Sequence, residues 1–282
     1  MTVSAGARMS AGVAALVRTV AAGSAALSAG RWLGATLVEH APGGSSRWAR
    51  RNHRGHEVTL LEGPSVALAA AVGTLTSSSP WRAAALTAVL GSAAFGALDD
   101  LGEADADRAA GARGLRGHLH ALRRGRLTTG AWKVLGIGAT GLAAAAVSSA
   151  RAPRHAVGFL DVLLGGALVA GSANLVNLFD LRPGRALKVS AVTALSLGVG
   201  SPGGSTGVLP TRPLAGAVLG TVVASLPEDL AGRSMLGDTG ANALGALLGV
   251  AALARWRRPG RAAALAVVLG LTLASERISF SR

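Results

Sequence analysis

A chain of 282 residues that is 50% hydrophobic, is charged at only 15% of positions and has a mean hydropathy of +0.44 is too apolar for an ordinary soluble domain. The absence of cysteine excludes disulfides and thiolate metal sites. A net charge of +14 suits nucleic acid in principle, but no soluble base-reading module is visible, and basic loops facing anionic lipid explain the charge in a membrane protein.

Residues 1–9 are polar and read as a mobile N-terminus. Residues 10–38 read as a retained first span despite Arg18 and Arg31, because no small-residue cleavage site precedes a soluble domain. A basic loop occupies 41–57. A second apolar run covers 58–77, with Pro64 near its start and Glu62 weakening it, and the turn SSSP follows. The third run, 81–98, ends abruptly in Asp99 and Asp100. The longest polar segment, 101–128, holds six arginines with His118 and His120, and its RGHLHALRRGR piece predicts a short amphipathic helix on the membrane surface. Further apolar runs cover 129–148 and 156–176, the latter passing into NLVNLFDLRPGRALK. The runs at 187–200 and 213–226 follow, and Pro227, Glu228 and Asp229 read as the opening of another polar loop. GRSMLGDTGANALGALLG leads into an eighth run ending near Ala254, and 262–275 is the ninth.

The expected fold is therefore all-α: a single polytopic membrane domain over residues 1–282, with about nine transmembrane helices. Under alternating topology, one side collects 16 Lys and Arg and the other 9. Positive residues accumulate inside, so the loops at 41–57, 101–128, 180–188 and 227–238 and the tail read as cytoplasmic.

Four acids, Asp99, Asp100, Asp180 and Asp238, then fall on the cytoplasmic side at or near the ends of apolar runs. Charge inside a bilayer is costly, so helix mouths are where acids belong. Carboxylates are hard ligands for Mg²⁺, with Mn²⁺ as the alternative, held together with substrate phosphates. Arginines between them can pair with phosphate. Each acid also has a plainer reading. Asp99 and Asp100 could be solvated, Asp180 could pair with Arg182 or Arg185, and Asp238 could be a helix N-cap. Asn174 and Asn177 could be interhelical hydrogen-bond glue, and His118 and His120 interfacial loop residues. Joint occurrence on one side favours a metal-assisted phosphoryl-transfer site.

Three blocks carry a more specific signal. ALDDLG, NLVNLFDLRPGRA and MLGDTGANALGALLG resemble, in order and spacing, the helix-end Asp-Asp, the Asn-rich segment and the Gly-Asp-Gly-Ser loop of the polyprenyl-phosphate N-acetylhexosamine-1-phosphate transferases. This superfamily, glycosyl transferase family 4, includes the phospho-N-acetylmuramoyl-pentapeptide transferases. NHRG near residue 52 resembles its first cytoplasmic loop. The resemblance implies about ten helices with a polar cleft facing the cytoplasm, and transfer of a sugar-1-phosphate from a UDP-sugar to a polyprenyl phosphate, releasing UMP, in cell-envelope glycan synthesis. It implies Asp99 and Asp100 as catalytic residues near the lipid phosphate, and Asp238 with Asp100 as Mg²⁺ ligands. It further implies substrate contacts from Asn174, Asn177, Asp180, Arg182 and His118.

This chain departs from the family pattern in places. Asp-Gly-x-Asp-Gly becomes Asp180-Leu181-Arg182-Pro183-Gly184, Ala241 replaces the serine of the third block, and RWRR stands where a His-rich loop is usual. A second function class therefore stays open: a non-catalytic relative that binds lipid phosphate or nucleotide as a scaffold. A transporter fits less well, because transporters bind near the midplane. The expected partners are a UDP-sugar, polyprenyl phosphate and membrane lipids but no nucleic acid, with a homodimer open. The expected location is the plasma membrane, multi-pass, with the active face cytoplasmic.

Overall fold

The computed structural model describes residues 5–52, 54–102, 129–150, 158–199 and 211–277. Nine α-helices are found among them: α1 (Ala5–Glu39), α2 (Glu62–Thr76), α3 (Arg82–Gly102), α4 (Thr129–Ser149), α5 (Phe159–Phe179), α6 (Arg185–Gly198), α7 (Arg212–Leu230), α8 (Gly237–Arg255) and α9 (Arg258–Arg277). Among the described residues, three stretches are long and apolar enough to cross a membrane: Ala11–Glu39 of α1, α3 and α5.

α8 is the centre. Nearly every residue from Thr239 to Leu253 is buried, as expected of a helix that is apolar all round. It packs against α3 and α5 most extensively, then α2, with α6, α7, α9 and α4 completing its surroundings. α1 lies on α7 and α2, α4 bridges α3 and α5, and α9 rests on α5. The outward faces keep large apolar side chains exposed, among them Val13, Leu16, Val17 and Val20 on α1 and Val267 and Leu273 on α9. Contiguous apolar surface of this kind suits lipid rather than water.

Small residues set how closely the helices approach. Gly216 and Gly220 of α7 lie against α1, and a Cβ at Gly220 would stand 2.0 Å from the Gly23 carbonyl oxygen. Gly245 and Gly249 of α8 lie against α5, and a Cβ at Gly245 would stand 2.4 Å from the Ser172 carbonyl oxygen. Both pairs have the Gly-x-x-x-Gly spacing that lets backbones touch where no bulk hydrophobic force drives helices together.

Several boundaries differ from the sequence expectation. Residues 5–9, read as mobile, already belong to α1; only Gly6 there disfavours a helix. α3 continues through Asp99 and Asp100, which therefore sit in its last turn and not beyond it. Pro227 lies inside α7 and does not open a loop; it lies in the last turn, and its missing N–H forgoes only one bond. α9 starts at Arg258, with Pro259 in its first turn, where an N–H is not needed. The fold is also not purely helical. After a 3₁₀ turn at Ser45–Trp48, β1 (Ala49–Arg51) and β2 (Glu57–Thr59) pair antiparallel, with Arg50 opposite Val58. The amphipathic helix expected within 101–128, including His118, lies outside the described residues.

The helices alternate in direction, so two ends can be recognised. One carries the hairpin and the acids. At the other, Asp161 of α5 pairs with Arg258 of α9, and the Thr211 hydroxyl donates to the Leu197 carbonyl at 2.9 Å.

α4 offers a controlled test of glycine packing. A Cβ at Gly141 would stand 2.5 Å from the Gly166 carbonyl oxygen, whereas nothing lies within 4 Å of one at Gly138. Gly141→Ala is expected to destabilise by about 1–3 kcal/mol through overpacking. Gly138→Ala is expected to stabilise by up to about 1 kcal/mol through backbone entropy. Thermal unfolding of the purified protein in detergent measures both.

Candidate functional site

The site is built around the first turn of α8. A helix start leaves four N–H groups without intrahelical partners. The residue before it, Leu236, has no capping side chain. The Gly237 N–H donates to Asp180 Oδ2 at 2.9 Å. The Asp238 N–H donates to Asp100 Oδ1 at 3.0 Å, and the Thr239 N–H to Asp100 Oδ2 at 2.9 Å. The Gly240 N–H reaches the Leu236 carbonyl at 3.2 Å. The first three are thus capped by carboxylates from α3 and from the end of α5, where the helix dipole also favours negative charge. The Thr239 hydroxyl adds a third bond to Asp100, at 2.6 Å.

The local sequence permits this approach. Gly237 has φ +58, a conformation that only glycine adopts without strain. A Cβ at Gly96 would stand 2.4 Å from the Asp238 carbonyl oxygen, and one at Gly63 would stand 2.3 Å from that of Leu236. α3 and α2 therefore meet the turn backbone to backbone.

Adjacent residues on a helix point about 100° apart, and this separates Asp99 from Asp100. Asp100 turns to α8 and commits both oxygens to its backbone. Asp99 turns to α4, where Lys133 Nζ lies 3.2 Å from its Oδ2. The same ammonium contacts Asp238 Oδ2. Asp99 is 8% exposed, and Asp238 and Lys133 17% each. The pair facing a cation is therefore Asp99 and Asp238, whereas the sequence reading had grouped Asp238 with Asp100. Nor is Asp238 the N-cap; it lies within the first turn.

More carboxylates surround this centre. Asp229 of α7 accepts the Gly184 N–H at 2.9 Å, capping the start of α6. Glu62, at the head of α2, accepts from the Ser234 hydroxyl and is 7% exposed. Desolvation in this crowded mouth pushes the Asp180 carboxyl well above the ordinary carboxylate range, and the charges of Asp229 and Glu62 push it further. The hairpin closes the end. The Met235 N–H donates to the Thr59 carbonyl at 3.0 Å, and Arg50 of β1 donates to the Asp100 carbonyl.

Among the other expected site residues, Asn177 contributes through its backbone, its carbonyl accepting the Asp180 N–H at 3.0 Å. Asn174 is exposed on α5, and Arg182 is half-buried in the turn between α5 and α6. His118 lies outside the described residues. Lys133 was not anticipated. The available signal was compositional: it is one of two lysines among 26 arginines, and the lone charge within an apolar run.

Among the described residues, no group of three or more acidic or histidine side chains is arranged to hold a metal ion. Mg²⁺ typically takes one or two carboxylates and completes its shell with water and substrate phosphates. Asp99 and Asp238 fit that donor set. Asp100, with three donors already on its oxygens, fits it poorly.

No family model matches the chain, and no curated protein matches it.

Asp100→Ala would strand two backbone N–H groups and a hydroxyl at the buried start of α8. The expected cost is roughly 3 kcal/mol, and Asp99→Asn, which leaves the cap intact and Lys133 still paired with Asp238, is expected to cost less. Midpoints of thermal unfolding for the two variants, measured side by side, check the assignment of Asp100 as the cap.

Proposed function

We propose that the chain is a multi-pass membrane transferase that moves a sugar-1-phosphate, of the N-acetylhexosamine type, from a UDP-sugar to a polyprenyl phosphate, releasing UMP. The observation that carries this reading is the meeting of Asp99, Asp238 and Lys133 at one end of the bundle, from three helices and beside a glycine-bounded helix start. The resemblance of the three sequence blocks to glycosyl transferase family 4 supports it, because those blocks supply Asp99, Asp100, Asp180 and Asp238. The excess of basic residues in the loops at this end supports a cytoplasmic active face and a plasma-membrane location. On this reading about nine helices cross the bilayer.

In the reaction, a phosphate oxygen of the lipid attacks the phosphorus bonded to the sugar. The P–O bond to UMP breaks, and the electron pair leaves on the UMP phosphate. Asp99 and Asp238 would hold Mg²⁺, which when bound neutralises charge on the pyrophosphate. Lys133 places a positive charge within reach of the same phosphates. Asp100 and Asp180 hold the α8 backbone so that Asp238 stays in register with Asp99. Asn174, Asn177, Asp180 and Arg182 lie on the flank where the nucleotide would sit, and the polyprenyl chain would follow the exposed apolar helix faces.

A second reading is favoured by one observation: Lys133 already neutralises the acid pair. On that reading the chain binds a phosphate ligand without turnover, as a scaffold.

Purified protein incubated with undecaprenyl phosphate, Mg²⁺ and a panel of UDP-sugars should release UMP. Asp99→Asn and Asp238→Asn should each lower the rate about 10²-fold or more. Lipid-phosphate binding with no UMP from any sugar would select the scaffold.

A further inference from the structure

The ammonium of Lys133 stands where a divalent ion would be wanted. It spans Asp99 on α3 and Asp238 on α8, approaching from α4. A divalent ion bound by these two carboxylates would compete with it for the same oxygens and would be repelled by its charge at close range. Asp100 offers no ready alternative, because its oxygens are held by Asp238, Thr239 and the Thr239 hydroxyl. The next acids, Asp180 and Asp229, are engaged by the Gly237 and Gly184 N–H groups.

We propose that Lys133 is the resting occupant of the cation position between Asp99 and Asp238, and that it yields this position to a divalent ion when a phosphate group arrives. The inference rests on the transferase reading for the identity of that phosphate. The exchange is balanced in charge and contacts. The ammonium leaves two carboxylates and pairs with phosphate oxygens, and the vacated carboxylates gain a doubly charged ion. Lysine suits this role, having a flexible four-carbon stem and a compact charge, whereas a guanidinium would fork across the two carboxylates and hold them. In a chain with 26 arginines, a lysine between these two carboxylates fits a side chain that has to move. Ion and phosphate then bind cooperatively, each favouring the state that the other needs. The free protein holds divalent ions weakly, and its acid pair stays neutralised between turnovers.

The test is Mn²⁺ binding to the full-length protein in detergent, followed by the paramagnetic resonance of free Mn²⁺. Without phosphate, Lys133→Met should bind Mn²⁺ about tenfold or more tightly than wild type, and Lys133→Arg no more tightly than wild type. Added inorganic phosphate should raise Mn²⁺ affinity in wild type and much less in Lys133→Met. Introducing Asp238→Asn into Lys133→Met should abolish the gain. If Lys133→Met does not fold, Lys133→Gln and the phosphate effect on wild type carry the same test. Unchanged or weaker Mn²⁺ binding in the Met or Gln variant would overturn the proposal, as would a gain that survives Asp238→Asn or a wild type indifferent to phosphate. Turnover is not needed for this readout. Mn²⁺ binding of the expected pattern without UMP release would sink the transferase reading alone, and UMP release with Lys133→Met no tighter for Mn²⁺ would sink this one alone.

Discussion

The structure depends on how the start of α8 is capped. A helix enclosed on all sides cannot leave its first N–H groups to water, and each one buried without a partner costs about 1–3 kcal/mol. Leu236 offers no side-chain acceptor. Asp100 and Asp180 supply it instead, from helices that end where α8 begins. One interaction thereby joins α3, α5 and α8 and fixes where Asp238 stands. The candidate chemistry is a by-product of that constraint: once Asp100 is drawn to α8, its neighbour Asp99 must face the adjacent helix, where Lys133 lies.

The same device recurs nearby. Asp229 at the end of α7 caps the start of α6 through Gly184. Acids at helix ends that look like a ligand set in one dimension are therefore divided between two tasks. Asp100, Asp180 and Asp229 hold backbone, and Asp99 and Asp238 face a cation. Crowding of carboxylates in this way is tolerable because backbone N–H groups and one ammonium offset much of the repulsion.

Much of the architecture was legible in the sequence. Apolar runs located the nine helices found among the described residues, since length and hydropathy are properties of contiguous residues. The gathering of Asp99, Asp100, Asp180 and Asp238 at one end followed from alternating direction. The division of labour between Asp99 and Asp100 was not legible, because it depends on partners 138 and 139 positions away from Asp100. Lys133 was invisible for the same reason: its meaning lies in α3 and α8, not in α4. The hairpin escaped because three-residue strands carry no usable periodicity. Pro227 misled because a proline reads as a breaker, whereas α7 accommodates it and ends three residues later, at Leu230.

The central position of α8 has a consequence for how the protein is made. Helices are synthesised in order, and the one on which most of the others pack is the eighth of those described. While the ribosome is still adding the earlier segments, α2, α3 and α5 have no common partner, and the gap they will enclose must be kept open or filled by lipid. The contacts that α8 makes with α2, α3 and α5 therefore form late, after those that α2, α3 and α5 make with their other neighbours. A nascent chain stalled before residue 237 would present orphaned helices to the quality-control proteases of its membrane.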